Sequence, residues 1–219
     1  MVKHVPPEPP APAAPPGPEA REESGTKEHI LTVAERVFGD LGYAKATTRR
    51  IAQEAGIAPG LLFYYFKTKH DLYEAVVYTA LGEVARVVLT ESRDDLKPPD
   101  TMRAFVGWFL NFTATHQALM KIFLRELIDG GELIKEISEK FVRPMLERGE
   151  LFIGKGIEDG YFRDVNPAQF LLNFVGAVTV GCTSRPVIEA VSGVDAMSPA
   201  ALEERRKSIL RQIERTLIA

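Results

Sequence analysis

Residues 47–69 read Thr-Thr-Arg-Arg-Ile-Ala-Gln-Glu-Ala-Gly-Ile-Ala-Pro-Gly-Leu-Leu-Phe-Tyr-Tyr-Phe-Lys-Thr-Lys. Thr47 is a residue type that caps a helix N-terminus, and Ile51, Ala52 and Ala55 recur at the spacing of one inward helical face. Gly56 can take the left-handed conformation that ends a helix. Pro59 stands where a first helical turn tolerates a missing N–H. The stretch therefore encodes two short helices joined by a tight turn. The second is laden with aromatics and followed by Lys67 and Lys69. This is the build of a helix-turn-helix, whose second helix enters the major groove of DNA.

The charge around this stretch agrees with that reading. The chain of 219 residues carries a formal net charge of −3, so bulk charge does not make it a polyanion binder. From Thr26 to His70, however, Lys27, Arg36, Lys45, Arg49, Arg50, Lys67 and Lys69 face only Glu28, Glu35, Asp40 and Glu54. A locally basic module in an acidic protein fits a DNA-facing end and a solvated remainder.

Upstream, residues 1–25 hold eight prolines and little apolar mass, which predicts a disordered Pro/Ala-rich tail. Its glutamates outnumber its bases, which argues against a DNA-reaching arm. Downstream the pattern is helical throughout, and no alternating run is long enough for a strand. Ile30, Ala34, Val37, Phe38 and Leu41 mark a first helix that Gly42 should stop. Thr68 and Asp71 form a capping box that opens a long helix bearing Leu72, Val76, Ala80, Val84 and Val87. Further helices are expected from Pro98, from Gln117 to Asp129, from Glu132 to Asp159 with a kink or split at Pro144, from Pro167 to near Arg185, and from Pro199. The expected fold is all-α, about nine helices. Residues 26–70 would form the DNA-binding domain and residues 71–219 a larger helical domain.

Thr47-Thr48, Ile51-Ala52, Ala55-Gly56-Ile57 and Tyr64-Tyr65-Phe66-Lys67-Thr68-Lys69, with Gly42-Tyr43 before them, resemble the DNA-binding segment of TetR-family (tetracycline-repressor-like) transcriptional regulators. The close match runs from about Glu28 to Tyr73. The resemblance implies that Thr48, Arg49, Pro59, Gly60, Leu61, Tyr64, Tyr65 and Lys69 occupy DNA-facing positions. Their chemistry suits the role. Thr48 and Arg49 sit at a helix N-terminus that welcomes phosphate, and Arg49 can fork onto guanine. Tyr64 and Tyr65 offer hydroxyl tips, and Lys69 a charge, to the phosphate backbone. Three positions depart from the family pattern. Phe63 replaces the usual Tyr and loses a hydroxyl. Ala58 stands where a Ser or Thr cap is common, a loss of ~1 kcal/mol. Leu61 replaces a small or hydroxylated residue and offers apolar contact of the kind a thymine methyl accepts.

The resemblance also implies a domain that binds a small effector and dimerises. Phe105, Trp108, Phe109 and Phe112 form an aromatic stripe at helical spacing, to which Phe123 adds from another helix. These are core residues or the walls of a pocket for an apolar or aromatic molecule. Asn111, His116, Arg125 and Asn173 are polar groups in apolar helices and candidate orienters of that ligand. The helix from Pro167 is apolar nearly all round and the last helix on one side, so Phe170, Phe174, Ile213 and Leu217 are expected to dimerise as a four-helix bundle. The alternative is that both helices close the chain's own core. As the family works, an effector near the far end of the long helix from Lys69 would change the spacing of the two recognition helices. That spacing must match about 34–36 Å per DNA turn.

Other classes find little support. Cys182 is the single cysteine, so neither an internal disulfide nor a thiolate zinc site can form. No Gly-rich phosphate loop and no metal-ligand spacing is present, and nothing pairs Cys182 with His116 as a nucleophile, so neither cofactor, metal nor catalysis is expected. No basic, apolar leader and no apolar run of the ~20 residues that span a bilayer is evident, which predicts a cytoplasmic protein away from membranes. The expected function is a regulator, a repressor released from double-stranded operator DNA by its effector. The competing reading is a ligand-independent helical DNA-binding, architectural or protein-interaction protein.

Overall fold

The computed structural model describes residues 18–90, 96–130 and 132–219, with side chains from Gly25 onward. Among them every long element is a helix, and the nearest approach to a sheet is one bridge between Phe162 and Ile218. The helices are α1 (Pro18–Lys45), α2 (Thr48–Glu54), α3 (Pro59–Tyr65), α4 (Lys69–Thr90), α5 (Pro98–Thr115), α6 (Gln117–Asp129), α7 (Glu132–Ile137), α8 (Arg143–Glu158), α9 (Pro167–Thr183), α10 (Arg185–Ser192) and α11 (Pro199–Thr216).

The local signals in the DNA-binding module act as their chemistry dictates. Thr47 Oγ1 accepts from Arg50 N–H at 3.2 Å and starts α2. Thr68 and Asp71 exchange hydrogen bonds at 3.0 and 3.1 Å, the reciprocal capping box that starts α4. α3 begins at Pro59 behind Ala58, which makes no side-chain cap. Gly42 has φ +75° and breaks α1 before a last turn that ends at Lys45. A side chain there would be strained, which is why a glycine marks the break.

Three details differ from the sequence-based expectation. First, α1 begins at Pro18, so the last part of the expected tail is helical, while residues 1–17 lie outside the described residues. Pro18 suits a first helical turn, and Glu, Ala and Arg after it are good helix formers. Second, the segment from Glu132 to Asp159 is α7, a π-helical turn over Ser138–Val142, and α8. Pro144 has no N–H to continue the ladder, and Arg143 N–H reaches back to Ser138 instead. Third, α10 was not expected. Val187, Ile188 and Val191 share one helical face, but Pro186 reads as the end of the preceding helix rather than the first turn of a new one, and α10 turns away from α9 by 62°.

Two hydrophobic cores result. The first joins α1, α2 and α3 to the start of α4 through Phe38, Ile51, Leu62, Leu72 and Val76. The second fills the body, where Ala80 and Val84 of α4 meet α5, α6, α8, α9 and α11. α4 thus belongs to both cores.

Candidate DNA interface and effector cavity

The DNA-side residues sit on α2, α3 and the first residue of α4. Arg49 is exposed and has no ion pair or hydrogen bond among the described residues. Its neighbour Arg50 differs, because its Nε donates to Glu54 Oε1 at 2.7 Å, and Arg36 pairs with the same carboxylate at 2.9 Å. The Arg50 hydrogen bond, aided by the charge of Arg36, lowers the Glu54 pKa against the effect of desolvation. One glutamate thus occupies two cations and leaves the third free. Thr48 is half-exposed at the start of α2. On α3, Pro59, Gly60, Leu61, Phe63 and Tyr64 are exposed, whereas Leu62 is fully buried and anchors the helix. Tyr65 is half-buried against the module core, its ring edge-on to Tyr64 at 5.2 Å. Lys69 lies 4.3 Å from the ring centroid of Tyr43, with Nζ 3.5 Å from the Ala44 carbonyl oxygen. Its charge is therefore held at the end of α1.

The module is gripped from the body by α6. A Cβ on Gly39 would come within 2.5 Å of Ala118 Cβ, so the glycine is what lets α1 and α6 cross so closely. Around that crossing, Arg125 Nη1 donates to the carbonyls of Phe38 and Gly39 at 3.1 and 2.9 Å. Lys121 pairs with Asp40 at 3.0 Å, and His116 Nδ1 lies 3.2 Å from Glu35 Oε2. The Glu35 hydrogen bond raises the His116 pKa, overcoming the lowering effect of burial. From α4, the Tyr73 hydroxyl donates to Glu126 of α6 at 2.6 Å. That bond and burial push the Tyr73 phenol far above its ordinary value, with burial the larger cause.

Behind α6 the body holds a pocket of about 1380 Å³, partly open to solvent, between α4, α5, α6, α8 and α9. Leu81 and Val84 of α4, Phe105, Trp108, Phe109 and Phe112 of α5, Leu119, Met120 and Phe123 of α6, and Phe170 and Phe174 of α9 line it. The charged residues on its wall, Glu147, Arg148, Glu150, Lys155, Glu158 and Asp159, are all exposed. Among the described residues of its wall, Thr179 is the one that is both polar and buried. Such a wall favours a bulky, mainly apolar molecule with few hydrogen-bonding groups.

Residues 30–76 match the bacterial regulatory proteins of the tetR family, and residues 98–213 match the tetracyclin repressor-like C-terminal domain. The second match alone spans more than half of the chain. The chain belongs to the TetR family. It is a helix-turn-helix transcriptional regulator, and the helix-turn-helix is its DNA-binding end. Similar proteins include the HTH-type transcriptional regulator RutR of Escherichia coli (strain K12), 21% identical over 89% of this chain and 91% of its own length. An HTH-type transcriptional repressor of Streptomyces coelicolor is 26% identical over 90% and 99%. Among solved structures, the hemolysin II transcriptional regulator HlyIIR has a TM-score of 0.63 at 18% identity, covering 87% of this chain and 97% of its own. The fatty acid degradation regulator FadR from Bacillus halodurans has a TM-score of 0.64 at 20% identity, covering 84% and 97%. At these identities the structural likeness speaks for the fold.

Within this TetR-family chain the expected ligand residues divide. Phe105, Trp108, Phe109, Phe112 and Phe123 line the cavity, but His116 and Asn173 do not. His116 stacks on Phe112 at 4.5 Å and turns its ring nitrogen to Glu35, so it belongs to the α1–α6 junction. Asn173 is exposed on α9 and accepts from Gln169. Arg125 likewise serves the junction, and Asn111 is exposed. The residues expected at the dimer interface face inward in the single chain. Phe170 and Phe174 line the cavity, and Phe174, Ile213 and Leu217 are buried in the chain's own core. On α9 and α10 the apolar side chains left uncovered are others, Leu172 and Val180 of α9 and Val187 and Val191 of α10. The hydrophobicity of α9 pointed to an interface but could not say which side of the helix its own chain would use. The contributions of α4 and of Met102, Met120 and Met145 were also missed. Leu81, Val84 and Val88 at i, i+3, i+7 were the available signal.

Proposed function

We propose that this regulator is a cytoplasmic homodimeric repressor whose grip on operator DNA is released by a bulky, mainly apolar small molecule in the α4–α9 cavity. The observation that carries the reading is the double duty of α6. Leu119, Met120 and Phe123 face the cavity, while His116, Lys121 and Arg125 on or beside the same helix hold α1 of the DNA-binding module. A ligand that displaces α6 must strain or move the module. Because packed helices shift as units, a small shift is passed on rather than absorbed. α4 adds a second route, since it lines the cavity and runs into the module core.

DNA contact falls to Thr48, Arg49, Pro59, Gly60, Leu61 and Tyr64, with Tyr65 and Lys69 at the margin. Two such modules are needed to span an operator. The second copy would cover Leu172, Val180, Val187 and Val191, apolar side chains of α9 and α10 that are 54–83% exposed in the single chain.

The test uses the full chain and duplexes enriched from a random DNA pool. Apolar and aromatic compounds that raise its melting temperature are expected to strip it from the enriched duplex, and Phe109→Ala to blunt that response while sparing DNA binding. Compounds that bind without affecting DNA would favour the ligand-independent reading. Leu172→Glu is expected to sediment as a monomer and to bind the duplex weaker by orders of magnitude, since half the phosphate contacts are lost. A dimeric Leu172→Glu protein would refute this interface.

A further inference from the structure

Gly60 sits in the first turn of α3 with no structural need to be glycine. Its φ is not positive, and a Cβ there would meet no atom within 4 Å. Glycine weakens a helix relative to alanine, so nothing among the described residues rewards it. Beside it, Leu61 and Phe63 leave 39% and 44% of their surface in water. Pro59, Gly60, Leu61 and Phe63 have no side-chain hydrogen-bonding group at all. Tyr64, 62% exposed, carries the hydroxyl among the exposed residues of this helix.

This stretch cannot read a base by the paired hydrogen bonds that arginine makes to guanine or asparagine to adenine. What an alkyl side chain can recognise on a major-groove base edge is the 5-methyl group of a pyrimidine. Arg49 and Lys67, both exposed, flank the apolar stretch with the charge that brings a duplex to it. We infer that α3 reads the 5-methyl group of thymine through Leu61, and that Gly60 is glycine so that the helix backbone can come close enough to the base edges for this contact. The inference rests on the DNA reading above and names the base chemistry that reading leaves open.

The experiment is a methyl scan on a duplex enriched from a random pool by the full chain. Each thymine is replaced in turn by deoxyuridine, which removes the methyl alone. The parent is expected to lose about fourfold in affinity at one thymine of each half-site, the effect of one methyl group returning to water. Leu61→Ala should bind that duplex more weakly and show no further loss with deoxyuridine, while Leu61→Met, which keeps an alkyl chain, should retain the sensitivity. A scan that is flat for the parent overturns the inference. So does an equal deoxyuridine loss in the parent and in Leu61→Ala. A 5-methylcytosine duplex that binds tighter than the thymine duplex would move the assignment away from thymine. A pool that yields no enriched sequence contradicts the DNA reading itself, and the inference with it.

Discussion

Phe38 and Phe109 are both phenylalanines on the inner side of a long helix, yet their surroundings differ. Phe38 is fully buried and packs edge-on against Tyr73 at 4.9 Å, with Tyr43 stacked beyond. Phe109 is nearly as buried, but its ring is part of the wall of a 1380 Å³ cavity. The DNA-binding end is filled and braced, as a part that must hold two short helices in register has to be. The body gives up packing to keep a space open. The two ends of one chain therefore spend apolar side chains in opposite ways.

The largest expected effect separates them directly. Phe38→Ala should cost about 3–5 kcal/mol, since a new void opens in a closed core, whereas Phe109→Ala should cost less because its ring borders open space and has fewer packing partners to lose. Urea melts of the two variants check this. Equal losses would mean that the body is packed as tightly as the module. Next in size is a contrast within the DNA end. Arg49→Ala should weaken operator binding by about 1–3 kcal/mol, and Arg50→Ala by clearly less, because Glu54 already holds Arg50. Titrations of one duplex with both variants would show whether that carboxylate sorts the two arginines.

How much could be read in advance also differs between the ends. The module was legible because its signals are local. Thr47, Gly56, Pro59 and the Thr68–Asp71 box act within a few residues of themselves, and each appears in its expected role. The body depends on which helix faces which, and periodicity cannot supply that. The aromatic stripe on α5 was visible, and its rings do line the cavity. His116 and Asn173 are read from residue type, and Phe174 and Ile213 from the apolar faces of their helices, and neither signal says which neighbour each side chain packs against. Arg125 is the instructive case. A lone arginine in an apolar helix is a candidate orienter of a ligand, but Arg125 donates to the carbonyls of Phe38 and Gly39 instead.

Two smaller effects sharpen the contrast. Ala58 leaves α3 without a side-chain cap. Ala58→Ser should stabilise the protein by about 1 kcal/mol, read as a higher urea midpoint, while a comparable cap at α9 already exists in Asn166. The smallest effect is at the junction. Because the His116 pKa is raised by Glu35, the stabilisation from that tie is fully present below the ordinary histidine value of about 6.5 and fades as pH rises through the raised value. The melting difference between the parent and His116→Gln is therefore expected to shrink between pH 6 and pH 8.5. A constant difference would mean that the tie does not depend on the imidazolium.

The central claim is that the open body controls the filled end. Its most direct test is reciprocity in the full chain. One takes a compound that raises the melting temperature and measures, by calorimetric titration, how much it weakens operator binding. One then measures how much the operator weakens binding of that compound. The same factor is expected both ways, on the order of 5- to 150-fold. A compound that fills the cavity, shown by its loss in Phe109→Ala, and leaves operator affinity unchanged would contradict it.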